Sequence, residues 1–143
     1  MKKLLLVFLS IVFSIPGISQ SWDKETKVVS SDRNAQDRMG NAVSVSGNYA
    51  IVGAYWEDED PAGLNTMSAA GASYIFEKNA EGNWLEVQKL VASDRSQRGG
   101  GDEFGYSVSI SGSYAIVGAR YKDEDASGGR YMANAGSAYI FER

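Results

Sequence analysis

The chain has 143 residues, which is enough for one small domain. It contains no cysteine and no histidine, which excludes disulfides, the common zinc sites and catalysis by Ser-His-Asp or Cys-His groups. With 14 basic and 18 acidic residues its formal net charge is −4, and such a chain lacks the basic footprint that binds nucleic acid or anionic membrane. We therefore expect neither partner.

The N-terminus is typical of a secretory signal peptide. Lys2 and Lys3 precede an apolar run over residues 4–15, which is shorter than the roughly 18 apolar residues that a membrane-spanning helix needs. We predict a signal peptide over residues 1–19, cleavage after Ser19, a secreted or cell-surface protein that starts at Gln20, and no membrane span. An uncleaved N-terminal anchor is the alternative.

The remainder of the chain is an internal repeat. Residues 21–33 align with residues 83–95 at an offset of 62, and from residue 40 onward the offset is 65. The three additional residues lie in the Gly99-Gly100-Gly101 region, and an insertion of this kind marks a surface loop. The alignment predicts a first repeat over 20–83, with a leading outer strand, and a second over 84–143.

Each repeat is predicted to form short strands joined by tight turns. Alternation of apolar and small polar residues, and apolar runs between glycine-containing turns, are strand signals. Gly47-Asn48 and Gly112-Ser113 have the glycine-first pattern of type II′ hairpins. No window has a convincing helical period, so we expect an all-β chain of two four-stranded antiparallel β-propeller blades. The predicted strands are residues 22–29, 41–46, 49–54, 71–77, 84–91, 106–111, 114–119 and 136–142.

The repeats resemble a known family. F-G-Y-S-V-S-I-S-G-S-Y-A-I-V-G-A, residues 104–119, is similar to the FG-GAP repeat of integrin α-subunit propellers and of many secreted bacterial proteins. The first copy has Met39 where the motif prefers Phe. The resemblance implies a β-propeller fold. It does not carry over the family's calcium loop, because two-residue connections such as Gly47-Asn48 cannot supply six to eight oxygen ligands.

Acidic clusters follow the second strand of each copy. Asp58, Asp60, Asp123 and Asp125 are candidate ligand-binding residues and candidate ligands for calcium, because they offer hard oxygen donors. The alternative is that these strings of acids only solvate long loops. In a propeller blade these loops emerge on the same rim as the links between blades, which is where propellers usually bind ligands.

Aromatic residues flank the acidic clusters. Tyr55 and Tyr121 are candidate ligand-binding residues, and anchoring of the loop is the alternative role. Gly53 and Gly118 are predicted close-packing positions, where a side chain would collide with a neighbouring strand.

Two blades are fewer than the four to eight or so that a closed propeller needs. The leading strand is of the fourth type, and the second repeat has only the first three. Either the chain is part of a larger propeller, or protomers form a homo-oligomer in which each lends its first strand to a neighbour. Three copies would then close a six-bladed ring.

These observations predict a secreted or cell-surface binding or adhesion module. Its ligand face would be the acidic rim, and its partner an extracellular protein or a glycan. A structural spacer, or a fragment of a larger propeller, is the alternative. Some propellers act on glycans with paired carboxylates, but two blades enclose little and no histidine is present, so we expect no enzyme activity.

Overall fold

A computed structural model describes residues 21–63, 66–96, 101–125 and 127–143; the predicted signal peptide, with its cleavage site, lies outside these ranges. Strands β1 (Met39–Ser46), β2 (Tyr49–Ala54), β3 (Ala72–Lys78) and β4 (Trp84–Leu90) form one antiparallel sheet, which we call blade 1. Strands β5 (Phe104–Ser111), β6 (Tyr114–Ala119) and β7 (Ser137–Glu142) form a second, blade 2. In these ranges no helix is long and apolar enough to cross a membrane.

The two blades confirm the all-β prediction, and their hairpins follow the predicted turn chemistry. Gly47 and Gly112 have φ of 58° and 54°, the left-handed values that a type II′ turn needs at its first central position. These turns fix the register of β1 with β2, where Ser46 pairs with Tyr49, and of β5 with β6. Because side chains alternate along a strand, this register decides which residues face the neighbouring blade.

The main core lies between the two blades. We call the side of blade 1 that carries Ile51 its back face, and the side of blade 2 that carries Val117 its front face. Ile51 and Leu90 pack against Phe104 and Val117, and all four are buried. Because side chains alternate along each strand, the opposite side of blade 1 is its front face, which carries Val52, and the opposite side of blade 2 is its back face, which carries Ile116.

Glycines allow the blades to approach closely. A Cβ on Gly53 would overlap the carbonyl oxygen of Gly105 and lie 3.0 Å from its carbonyl carbon. A Cβ on Gly71 would lie 2.5 Å from the backbone nitrogen of Phe104. The close-packing prediction is therefore confirmed for Gly53. It is also confirmed for Gly118, where a Cβ would overlap the side-chain oxygen of Ser107 on the neighbouring strand β5, although this contact lies within blade 2.

The innermost strands of the blades, β1 and β5, also lie side by side. The Asn41 side-chain amide donates to the backbone carbonyl of Tyr106 at 3.0 Å. The hydroxyl of Ser44 accepts from the Ile110 amide at 3.2 Å, and that of Ser46 accepts from Gly112 at 3.3 Å. The small polar residues that alternate along β1 thus join one blade to the next, as neighbouring blades of a propeller require.

The predicted leading strand is not a strand in the structure. Residues 21–30 have no ladder partner, and the Trp22 side chain is fully exposed at 103%. Val28 nevertheless packs on the front face of blade 1, as Leu90 at the equivalent position packs on blade 2. The segment therefore lies where the outer strand of a preceding blade would lie, but without the inner strand that would pair with it. Blade 2 has three strands in the described residues, which agrees with the three predicted from the second repeat.

Candidate functional site

The acidic loops and the links between blades share one rim of the molecule, as the sequence predicts. The Asn34 side-chain amide donates to Glu59 at 3.3 Å, and the Trp56 amide donates to the Asp37 carbonyl at 3.3 Å. Arg95, in the link to blade 2, donates to the Asp58 carbonyl at 3.1 Å. The β2–β3 loop is thus held by both links that border it.

A buried ionic network supports the rim above blade 1. Glu57 is fully buried, and its carboxylate accepts from Lys89 at 3.1 Å and from the Tyr74 hydroxyl at 3.1 Å. Asp32 accepts from the same two groups at 2.7 and 2.8 Å. Burial alone would raise the pKa of Asp32, but the bonds from Lys89 and Tyr74 outweigh it and lower the pKa. Burial and the adjacent carboxylates raise the pKa of Tyr74, so its hydroxyl remains a donor.

Asp32, Glu57 and Glu59 form the one group of carboxylates in the described ranges that lie close enough to share a metal ion, with ligand atoms within 4.8 Å of one another. None of the three is among the predicted calcium ligands. The Lys89 ammonium already bonds to two of them, so calcium would have to displace a buried cation. This cluster does not fit calcium while Lys89 is in place.

Blade 2 has the opposite charge at the centre of its network. Lys122 stands 65 residues after Glu57, is buried, and pairs with Glu124 at 2.9 Å, Asp102 at 3.3 Å and Asp94 at 3.4 Å. Burial opposes the charge of Lys122, but its carboxylate partners raise its pKa. Burial raises the pKa of Asp102 despite its bond from Lys122. The two ionic networks therefore lie at equivalent positions of the two repeats, but a carboxylate is at the centre of the first and an ammonium group is at the centre of the second.

The four predicted aspartates have different surroundings. Asp60 and Asp125 accept backbone amides two residues further on, at 2.9 and 3.0 Å, and so shape their own loops. The bond from Ser127 lowers the pKa of Asp125. Asp123 is buried and accepts the Asn134 amide at 2.6 Å. Asp58 is the member of this set that lines a cleft on the rim.

Arginines cover the aromatic residues beside these loops. Tyr55 is buried, and its hydroxyl accepts from Arg38 at 2.6 Å. The Arg38 guanidinium also lies 3.6 Å from the centre of the Trp56 ring. Tyr121 is partly exposed, with the Arg120 guanidinium 4.4 Å from its ring centre. These contacts anchor the loops. The contacts of Arg38 and Arg120 with these rings could not be predicted from the sequence, because a single charged residue beside a turn has no sequence pattern that indicates its partner.

Among the described residues, clefts lie on the rim over both blades. The first, of about 560 Å³, lies over blade 1. Within the described ranges its lining contains Trp56 and four acidic residues, of which Glu103 is already paired with Arg120 at 2.7 Å: Asp37, Asp58, Glu59 and Glu103. Burial, with the nearby charges of Glu57 and Asp58, raises the pKa of Asp37. The second cleft, of about 640 Å³, lies over blade 2 and has mixed charge, because Arg95 and Lys122 lie beside Asp94 and Glu124. The two clefts thus differ in the ligand charge they favour.

Comparison with known families accounts for the repeated strands and glycines. The FG-GAP repeat matches residues 22–76 and again residues 84–141. Curated proteins and solved structures gave no match. The family motif agrees with the geometry: Phe104 fills the core between the blades, and Gly105 and Gly53 permit their backbones to meet. The two matches together cover most of the chain, which therefore belongs to the FG-GAP repeat family, whose members form β-propeller blades.

Proposed function

We propose that the protein is a secreted or cell-surface binding module that recognises a basic segment of an extracellular protein. The observation that carries this proposal is the cleft over blade 1, whose charged lining residues are acidic throughout the part of the chain that the structure describes. A concave site with one sign of charge concentrates ligands of the opposite sign. FG-GAP repeats are often found in extracellular propellers, which agrees with a role in adhesion.

The acids of this cleft are held in place. The Asn34 side chain bonds to Glu59, and the Asn34 backbone amide bonds to the carboxylate of Asp37. The Asp58 carbonyl is fixed by Arg95. Lysine or arginine side chains entering the cleft would therefore meet carboxylates that need little reorganisation, which favours binding.

A protein ligand is favoured over a glycan because the aromatic faces next to the cleft over blade 1, which could stack on a sugar, are engaged. Arg38 lies over Trp56, and Tyr55 is buried. We propose no catalytic role, because the fully buried carboxylates Glu57 and Asp102 are paired with Lys89 and Lys122. Cleavage of any glycan in a hydrolysis screen would contradict this part of the proposal.

Binding to immobilised lysine- and arginine-rich peptides, with acidic peptides of equal length as reference, tests the proposal. We expect the Asp58→Asn/Glu59→Gln variant to bind basic peptides about 3- to 10-fold more weakly, since each exposed charge pair contributes ~0.2–1 kcal/mol. The matched control is Glu81→Gln, an exposed acid in the turn at the opposite rim. Equal loss in the control, or no preference for basic peptides, would contradict the proposal and favour a structural spacer.

A further inference from the structure

Each blade has one face that its neighbour covers and one that remains open. The back face of blade 1 is covered by blade 2, and there Ile51 is fully buried. On the back face of blade 2 the equivalent of Ile51, Ile116, is 42% exposed, and Ile140 is 71% exposed. The chain thus presents a second copy of an interface that it already uses once.

The complementary half of that interface is also open, on the front face of blade 1. Val108 and Ile110 of blade 2 pack into the core between the blades. Their equivalents in blade 1, Val43 and Val45, are 68% and 65% exposed. Apolar side chains that pack in one blade are therefore exposed at the same positions in the other.

The glycines have the same asymmetry. Gly105 has φ of +91°, and a Cβ there would overlap the carbonyl of Ala72 on blade 1. Its equivalent, Gly40, has φ of +95°, yet no other part of the described chain lies within 4 Å of the position a Cβ would occupy. Gly40 therefore has the same left-handed backbone conformation as Gly105, but no strand of a neighbouring blade packs against it among the described residues.

An unpaired strand edge lies beside these faces. In blade 1, β3 pairs with β4. In blade 2 the equivalent of β3 is β7, whose second edge is free among the described residues. Residues 22–28 repeat the sequence of β4, from Trp22 for Trp84 to Val28 for Leu90, and they have no ladder partner.

From these four observations we infer that the back face of blade 2 binds the front face of blade 1 in a second copy of this chain. In that contact β7 of one copy pairs with residues 22–28 of the next. The register follows from blade 1, where Ile75 pairs with Gln88, so that Ile140 faces Thr26 of the second copy. This head-to-tail contact repeats the internal one, and two to four chains would make a closed ring of about four to eight blades.

Light scattering after size exclusion tests the contact on the chain from Gln20 onward, the predicted secreted form. We expect a discrete mass at two, three or four times that of one such chain. Ile140→Asp places a charge in the contact and should shift the mass to that of a single chain. Its control is Leu85→Asp, at a 53% exposed position of β4 where the other repeat already has Asp23; the oligomer should persist. A wild-type chain that remains a single chain at every accessible concentration would overturn the inference.

Cross-linking tests the register without dependence on oligomer stability. The chain has no cysteine, so Thr26→Cys with Ile140→Cys introduces one pair, both at exposed positions. Under oxidation we expect disulfides between chains, seen as bands of two or more chains on a non-reducing gel. Leu85→Cys with Ile140→Cys should give none. No cross-link between chains for Thr26 and Ile140, or equal cross-linking of the control pair, would overturn the inference.

Discussion

Replacement of Gly53 by alanine tests how the two blades are joined. The added Cβ would overlap the carbonyl oxygen of Gly105 and lie 3.0 Å from its carbonyl carbon. Carbon atoms in contact are normally about 3.5–4.0 Å apart, so the carbon–carbon contact alone requires the two strands to separate by ~0.5–1 Å, and the overlap with the oxygen requires more. Backbone atoms cannot rotate out of the way, and Ile51 and Leu90 pack in the same contact. Overpacking of this kind costs about 1–3 kcal/mol, and we expect a loss at the upper end of this range.

Denaturant unfolding of the wild-type and variant chains gives the change in free energy directly. The matched control is Gly129→Ala: φ at Gly129 is not in the left-handed region, and its Cβ would lie 3.4 Å from a Ser127 hydroxyl, an ordinary contact. The control should change stability by less than about 0.5 kcal/mol. A Gly53→Ala loss no larger than that of the control would show that the blades do not meet as described.

Three further predictions concern the rim. Lys89→Met leaves the buried Glu57 carboxylate without its cation and should lower the free energy of unfolding by about 3–5 kcal/mol. The double variant Lys89→Met/Glu57→Gln should recover part of this loss, and no recovery would refute the pairing. Tyr74→Phe should cost about 1–3 kcal/mol, because the fully buried Glu57 loses one of its donors; this should exceed the cost of Tyr139→Phe, whose bond at 2.7 Å goes to a half-exposed acid, and equal losses would contradict this assignment. Burial and neighbouring acids raise the pKa of Asp37 above its ordinary 3.8, so the folded state binds this proton more tightly than the unfolded chain. The free energy of unfolding should therefore rise as the pH falls from the raised pKa towards 3.8. Denaturant unfolding at a series of pH values should show a smaller rise for Asp37→Asn, and an unchanged slope would contradict the assignment.

The strands and turns could be predicted because their signals are local. Alternation in β1 and β5 and the glycine-first turns at Gly47 and Gly112 fix where each strand begins and ends, within about two residues. The close approach at Gly53 could also be predicted, since a glycine inside an apolar strand weakens that strand unless another backbone packs against it.

The ionic networks could not be predicted, because their partners come from distant parts of the chain. Within a run of four acids, Glu57 has no local mark that separates it from Asp58, yet it is buried against Lys89, 32 residues away. The leading segment differs, because its sequence indicates a strand that the structure does not form. Trp22 lies in a sequence that matches β4, but a strand needs a partner, and none of the described residues supplies one.

Recognition of a basic segment by the cleft over blade 1 is tested most directly by hydrogen–deuterium exchange with and without a lysine- and arginine-rich peptide. Exchange reports where binding protects the backbone. We predict protection over residues 34–37, 56–59 and 66–69, which surround the acidic cleft. Protection confined to the turns at the opposite rim, residues 47–48 and 79–83, would contradict recognition by this cleft.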